Sequence, residues 1–245
     1  MIGTIWHALF FNPVYNGLVF FIDTVPGGDV GVAIICITLL VKLLLLPLSY
    51  KAARTQIVMR ELDPKLKEVK EKYKDDREAQ ARAMMDLYKE AGLNPFASVF
   101  LLLIQIPVII AVYFSVSRGG GVPLPEINTA LLYSFVPNPE TVNMIFLGIV
   151  NIAAKSLPLA LLAGATQFIQ ARLATPKPEP RKPDETPSLQ ADFARSMQLQ
   201  MRYVMPIIIF VVAYTVSAAV ALYFTVSNLV MIGQEFLIRR HKHLR

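Results

Sequence analysis

VGVAIICITLLVKLLLLPL, residues 30–48, is nineteen residues long and broken by a single charge, Lys42. At about 1.5 Å per residue, a helix of this length crosses the ~30 Å hydrocarbon core of a bilayer. Working outward, 96–116 is a second apolar run, with Pro107 inside it, and 157–173 is a third, carrying Gln167, Gln170 and, at its end, Arg172. Residues 203–234 carry no charge at all. As one helix they would be about 48 Å long, more than a bilayer requires. Two spans with a turn near Ser217 fit better, each about fifteen residues or roughly 22 Å, which implies a thinned bilayer around them.

Charge placement tests this count independently, because cytoplasmic segments retain Lys and Arg. Of the 24 such residues, eleven lie between Lys51 and Lys89, six between Arg172 and Arg202 and four between Arg239 and Arg245. For the last two groups to share a side, the stretch between them must cross twice. The expectation is an all-α polytopic protein with spans at 30–50, 96–116, 156–173, 203–216 and 218–238, N-terminus outside and C-terminus cytoplasmic. The 117–155 loop is then outside, and the 174–202 loop and basic 239–245 tail inside. Residues 1–29 have no basic leader, and Asn12, Pro13 and Gly17 break their apolar pattern. Trp6, Phe10, Phe11, Tyr15, Phe20 and Phe21 suit an amphipathic helix lying in the outer interface.

With 54% apolar residues, gathered in long blocks, and only 17% charged, the composition argues against a soluble fold. The one cysteine, Cys36, permits no intramolecular disulfide or zinc cluster, and His7, His241 and His243 sit near the chain ends, so no metal or cofactor is expected. The net charge of +6 reflects membrane orientation, not nucleic-acid binding. In the cytoplasmic segment 51–95, Leu62, Leu66, Val69 and Tyr73, then Met84, Leu87, Tyr88 and Ala91, recur at helical spacing and predict a helical hairpin broken at 74–76. Glu68 and Lys72 form an i,i+4 pair worth about 0.2–0.5 kcal/mol. Gly92 caps the second helix, and Asn94-Pro95 turns the chain into the membrane. Residues 175–187, TPKPEPRKPDETP, predict an extended or disordered loop.

An ionisable residue at the centre of a span costs at least about 2.5–3.5 kcal/mol and is a functional candidate by default. Thr38 and Ser49, at i−4 and i+7, share a helical face with Lys42. Gln105, Gln167, Gln170, Thr225, Asn228 and Gln234 put polar groups into the middle or inner half of other spans, whereas 108–112, 157–162 and 218–222 leave the outer halves apolar. This asymmetry predicts a hydrophilic groove that opens inward and ends within the membrane. With no acidic residue in any span to neutralise Lys42, the groove would attract acidic or polar segments of a passing chain. No nucleophile and base are paired, so no enzyme is expected. A small-solute or anion transporter using Lys42 is the alternative, but it calls for repeated halves and a coupling carboxylate, and neither is visible. A structural scaffold would not need the charge.

Val41-Lys42 through Pro47-Leu48, Asn94-Pro95, Leu103-Ile104-Gln105-Ile106-Pro107 and Leu222-Tyr223-Phe224-Thr225-Val226-Ser227-Asn228, in this order, resemble the YidC membrane protein insertases of bacteria, from about residue 5 to the end. The resemblance implies a five-helix core in the inner membrane, an inward-open groove, a mobile cytoplasmic hairpin and an outer amphipathic helix. It implies nascent membrane proteins as substrates, membrane lipids as surroundings, and the ribosome and the SecYEG translocon as partners. Lys42 matches a groove cation that is commonly arginine in the family, so the charge is kept and the bidentate fork lost. Thr38 matches a groove position, and Tyr223 and Phe224 a substrate-contacting aromatic stretch. Val216-Ser217-Ala218 stands where many relatives have Pro-Ser-Gly.

Overall fold

The computed structural model describes residues 2–92, 97–118, 121–174 and 196–242; Asn94-Pro95, the stretch 175–187 and His243 lie outside them. The chain divides into two compact units, Met1–Leu44 with Ile106–Phe236 and Leu45–Gln105 with Leu237–Arg245.

In the first unit, α1 (Ile2–Trp6), a π-helical turn (His7–Phe11) and α2 (Asn12–Thr24) follow without interruption. Asn12, Pro13 and Gly17, which break the apolar pattern, do not break the helix. Pro13 falls in the first turn of α2, where a missing N–H costs little, and the π turn absorbs the change of bonding pattern before it. Gly17 is a contact point: a Cβ there would lie 2.5 Å from Ile37 Cδ1 of α3 (Val30–Leu44).

Asp29 starts α3 by accepting from the N–H groups of Gly31 and Val32 at 2.8 and 3.1 Å, a side-chain N-cap. The helix stops at Leu44, short of the end of the apolar run, and α4 (Leu46–Lys72) begins with Pro47 in its first turn. Proline cannot donate to the preceding turn and clashes with it, so the expected single helix over 30–50 is broken at Leu45.

The C-terminal half of α6 (Ala97–Ser117), α7 (Leu157–Ala174), α8 (Met205–Val216) and α9 (Ala218–Lys242) complete this unit. Its main core joins Leu18 of α2, Ile34 and Ile37 of α3, Val108 and Val112 of α6, and Leu222, Tyr223 and Val226 of α9. A second core joins Ala160 and Ala163 of α7 to Ile209 and Ala213 of α8 and Ala221 of α9. Small side chains let these backbones approach closely, the packing that drives helix association in lipid, where apolar burial gives no net gain.

The helices outrun the uncharged stretch. Ser196–Val216 is continuous over 21 residues and α9 over 25, so neither helix needs the thinned bilayer inferred from the run lengths. Between them the chain turns on a single extended residue, Ser217, flanked by Val216 and Ala218. The free N–H groups at the start of α9 are taken up from outside the helix, Ala218 by the Ala154 carbonyl and Ala219 by that of Ile152.

That segment, 121–156, is an ordered cap. Its short hairpin pairs β1 (Ile145–Phe146) with β2 (Val150–Asn151), Phe146 opposite Val150. Asn16, buried in α2, donates to the carbonyls of Asn12 and Leu131 at 2.9 Å and accepts from the Tyr133 N–H at 2.6 Å; the Tyr15 hydroxyl accepts from the Asn128 N–H. Asn16→Ala leaves the Leu131 carbonyl and the Tyr133 N–H unpartnered, at a cost of about 2–4 kcal/mol. Thermal unfolding in detergent should show a clearly lowered midpoint, and an unchanged one would deny the cap any contribution.

In the second unit, α4 packs against α5 (Arg77–Glu90) as a helical hairpin. Leu66 is buried, and Leu62, Val69, Tyr73, Met84, Leu87, Tyr88 and Ala91 are half-buried. Asp76 caps α5 through the N–H groups of Glu78 and Ala79, and Gly92 follows its end at φ +65°, a conformation glycine adopts freely. Lys72 lies over the Tyr73 ring instead of pairing with Glu68, and the i,i+4 ion pair is Glu78 with Arg82 on α5.

Gly3–Thr24, Ser196–Val216 and Ala218–Ile238 are each long and apolar enough to cross a membrane, and Val30–Leu44 with Leu46–Thr55 passes the same test jointly. The protein is a polytopic, all-α membrane protein.

Candidate functional site

Lys42 lies in the last turn of α3, half-buried, not in mid-helix as the unbroken run implied. Its charge therefore stands at the C-terminal end of a helix dipole, which favours a cation. One turn earlier, Thr38 is buried and its hydroxyl donates to the Ile34 carbonyl at 2.6 Å, so its hydrogen-bonding capacity is partly used within α3.

The polar groups of α7 and α9 form two small sets. Asn228, buried, donates through Nδ2 to Thr166 Oγ1 at 3.3 Å and to the Ala163 carbonyl at 3.5 Å, linking α9 to α7. Thr166 in turn donates back to its own helix at Leu162 and Ala163. Gln167 Nε2 lies 3.4 Å from Gln170 Oε1, both residues half-buried on α7. Thr225 donates to the Ala221 carbonyl. Gln105, half-buried on α6, belongs to the other unit.

Tyr223 and Phe224 are sequence neighbours and therefore face different sides of α9. Tyr223 is fully buried in the core that includes Ile34 and Ile37 of α3, whereas Phe224 packs on the small-residue core of α7 and α8. Their rings meet edge to face at 6.1 Å. The pair thereby ties α9 to both cores.

Two charges within the helices escaped the sequence reading. Arg202, assigned above to a loop, is 4% exposed in the π-helical turn Gln200–Val204, its guanidinium over the Tyr203 ring at 5.9 Å. Glu235, one residue beyond the uncharged run but inside the 218–238 span, is 9% exposed on α9. The statement that no span contains an acidic residue is thereby corrected. An uncharged run ends at a charge by definition, but a helix does not, and a long side chain can bury its apolar stem. Among the described residues, no group of three His, Cys, Asp or Glu could hold a metal ion.

The family model of the 60Kd inner membrane protein matches residues 21–244. The membrane protein insertase YidC of Clostridium tetani is 33% identical over 219 residues, covering 89% of this chain and 86% of that one. That of Oceanobacillus iheyensis is 32% identical over 242 residues, covering 96% and 84%. That of Pelobacter propionicus is 29% identical over 235 residues, which cover 96% of this chain and only 39% of the relative. The chain thus spans most of two of these relatives and about two fifths of the third.

Proposed function

This chain belongs to the 60Kd inner membrane protein family, whose relatives above are membrane protein insertases, and from that premise we propose that it takes nascent hydrophobic segments into a polar groove open to the cytoplasm and releases them sideways into the bilayer. The observation that carries this reading is the family match across nearly the whole chain. The relatives named above give an anion transporter built on Lys42 no support.

α3 with the start of α4, Ser196–Val216 and α9 have the length and hydropathy to cross; we take α6 and α7 as two further spans, and the Lys and Arg distribution supports a cytoplasmic C-terminus and an outside N-terminus. Gly3–Thr24 is long enough to cross, yet an interfacial position suits it better. Tyr15 and Asn16, in its middle, bond the backbone of the 121–136 stretch, where Phe135 is 73% exposed. Lipid-exposed irregular backbone is not tolerated at mid-bilayer depth, so a helix tied at its centre to such a loop belongs at the surface.

In this reading Lys42, Thr38, Gln105, Gln167, Gln170, Tyr223, Phe224 and Asn228 form or support the substrate groove. The charged α4–α5 hairpin faces the ribosome, and the SecYEG translocon is a second partner by family resemblance. Insertion of this kind involves no covalent catalysis. Photo-crosslinkers at positions 105, 170 and 224, with a ribosome-bound nascent chain carrying one hydrophobic segment, should yield adducts. Aqueous thiol reagents should label cysteines at 105 and 170 from the cytoplasmic face. Labelling solely from the opposite face would refute an inward opening.

A further inference from the structure

We propose that the tip of the β1–β2 hairpin, Leu147 and Ile149, inserts into the lipid headgroup and acyl-chain boundary as a membrane anchor. The hairpin alternates by face. Phe146 and Val150 pack onto the main core, while Leu147 is 65% and Ile149 82% exposed. Hairpin turns ordinarily carry polar residues, and a backbone at positive φ favours Gly, Asn or Asp. Here Leu147 holds φ +50° and remains leucine.

The turn is also prepared for an apolar medium. Its three successive N–H groups are bonded within the protein: Leu147 to Asp29 Oδ2 at 2.8 Å, Gly148 to the Ile145 carbonyl at 3.2 Å and Ile149 to the Phe146 carbonyl at 3.0 Å. Backbone entering lipid must satisfy its donors in this way.

Depth follows from the attachments. The Val30 N–H donates to the Asn143 carbonyl and the Ala219 N–H to that of Ile152, so the hairpin is fastened to the first residues of α3 and α9. Their apolar runs begin at those residues, which places the tip level with the membrane surface. The occupant is therefore lipid, continuous with the surface that surrounds the spans, and the inference depends on the spans alone, not on insertion activity.

The test places a tryptophan at the tip, Ile149→Trp in a Trp6→Phe background, Trp6 being the one tryptophan of the chain. The full chain is reconstituted into phosphatidylcholine and phosphatidylglycerol vesicles, with and without bromine on the acyl chains near the headgroup. Blue-shifted emission that loses more than half its intensity in brominated vesicles, with little quenching by aqueous iodide, is the predicted result. Strong iodide quenching without bromine quenching would place the tip in water and overturn the proposal. Resistance to both quenchers would mean cover by protein, a second copy included, and overturn it equally. Leu147→Trp, read in the same way, provides a second position should one variant fold poorly.

Discussion

Replacing Lys42 with alanine is expected to lower insertion of a single-span substrate with an acidic translocated tail by on the order of tenfold, equivalent to about 1.4 kcal/mol of lost stabilisation. The charge stands in the last turn of α3, half-buried, one turn beyond the buried Thr38. In a medium less polar than water, a cation attracts carboxylates far more strongly than it would in solvent, so the effect should grow with the acidity of the tail. Lys42→Arg keeps the charge and should keep activity, even though its donor geometry differs. Proteoliposomes containing each variant, challenged with matched acidic and neutral tails, separate charge from packing. Insertion by Lys42→Ala equal to that of the parent on both tails would remove the charge from the mechanism.

Asp29→Ala should produce a large loss of stability, on the scale of Asn16→Ala. Asp29 is buried, and its carboxylate accepts three backbone N–H groups, two at the start of α3 and that of Leu147 in the hairpin. Alanine removes the helix cap and strands a donor in the cap segment, costing about 3 kcal/mol in all. Asp29→Asn keeps one oxygen for the helix but turns an amide NH2 toward the Leu147 N–H, at a cost of about 1–3 kcal/mol. The unfolding midpoint in detergent should therefore fall in the order parent, asparagine, alanine. An asparagine variant as stable as the parent would show that the hairpin bond contributes nothing.

The sequence made the membrane class legible because long apolar runs are a composition signal that needs no tertiary context. The hairpin helices were legible for a similar reason, since their apolar spacing and the Asp76 and Gly92 caps are local. Helix boundaries inside the membrane were less so. Pro47 was the visible sign that α3 would stop early, but the unbroken hydrophobicity of 43–48 masked it. The charge of Arg202 suggests a loop and that of Glu235 closes the uncharged run, although buried helical positions can hold charged residues. The cap segment 121–156 was not legible at all. Its order comes from Tyr15, Asn16 and Asp29 reaching residues more than a hundred positions away, and no local pattern announces such bonds.

Thr38 and Lys42 lie one turn apart on α3, as helical spacing alone requires, whereas Ser49, expected on the same face, lies beyond the break at Leu45 on α4. Spacing could not foresee that Asn228 would bond Thr166, or that Tyr223 and Phe224 would belong to different cores, since those facts depend on how α9 lies between its neighbours.

Moving a hydrophobic segment from water into the bilayer is the function proposed for this chain. Purified protein in liposomes, supplied with a ribosome-free single-span substrate bearing a short acidic tail, measures this as the fraction of tail protected from external protease. Protection well above that of empty liposomes, and dependent on Lys42 or an arginine in its place, is the predicted result. Protection no greater than in empty liposomes would contradict it.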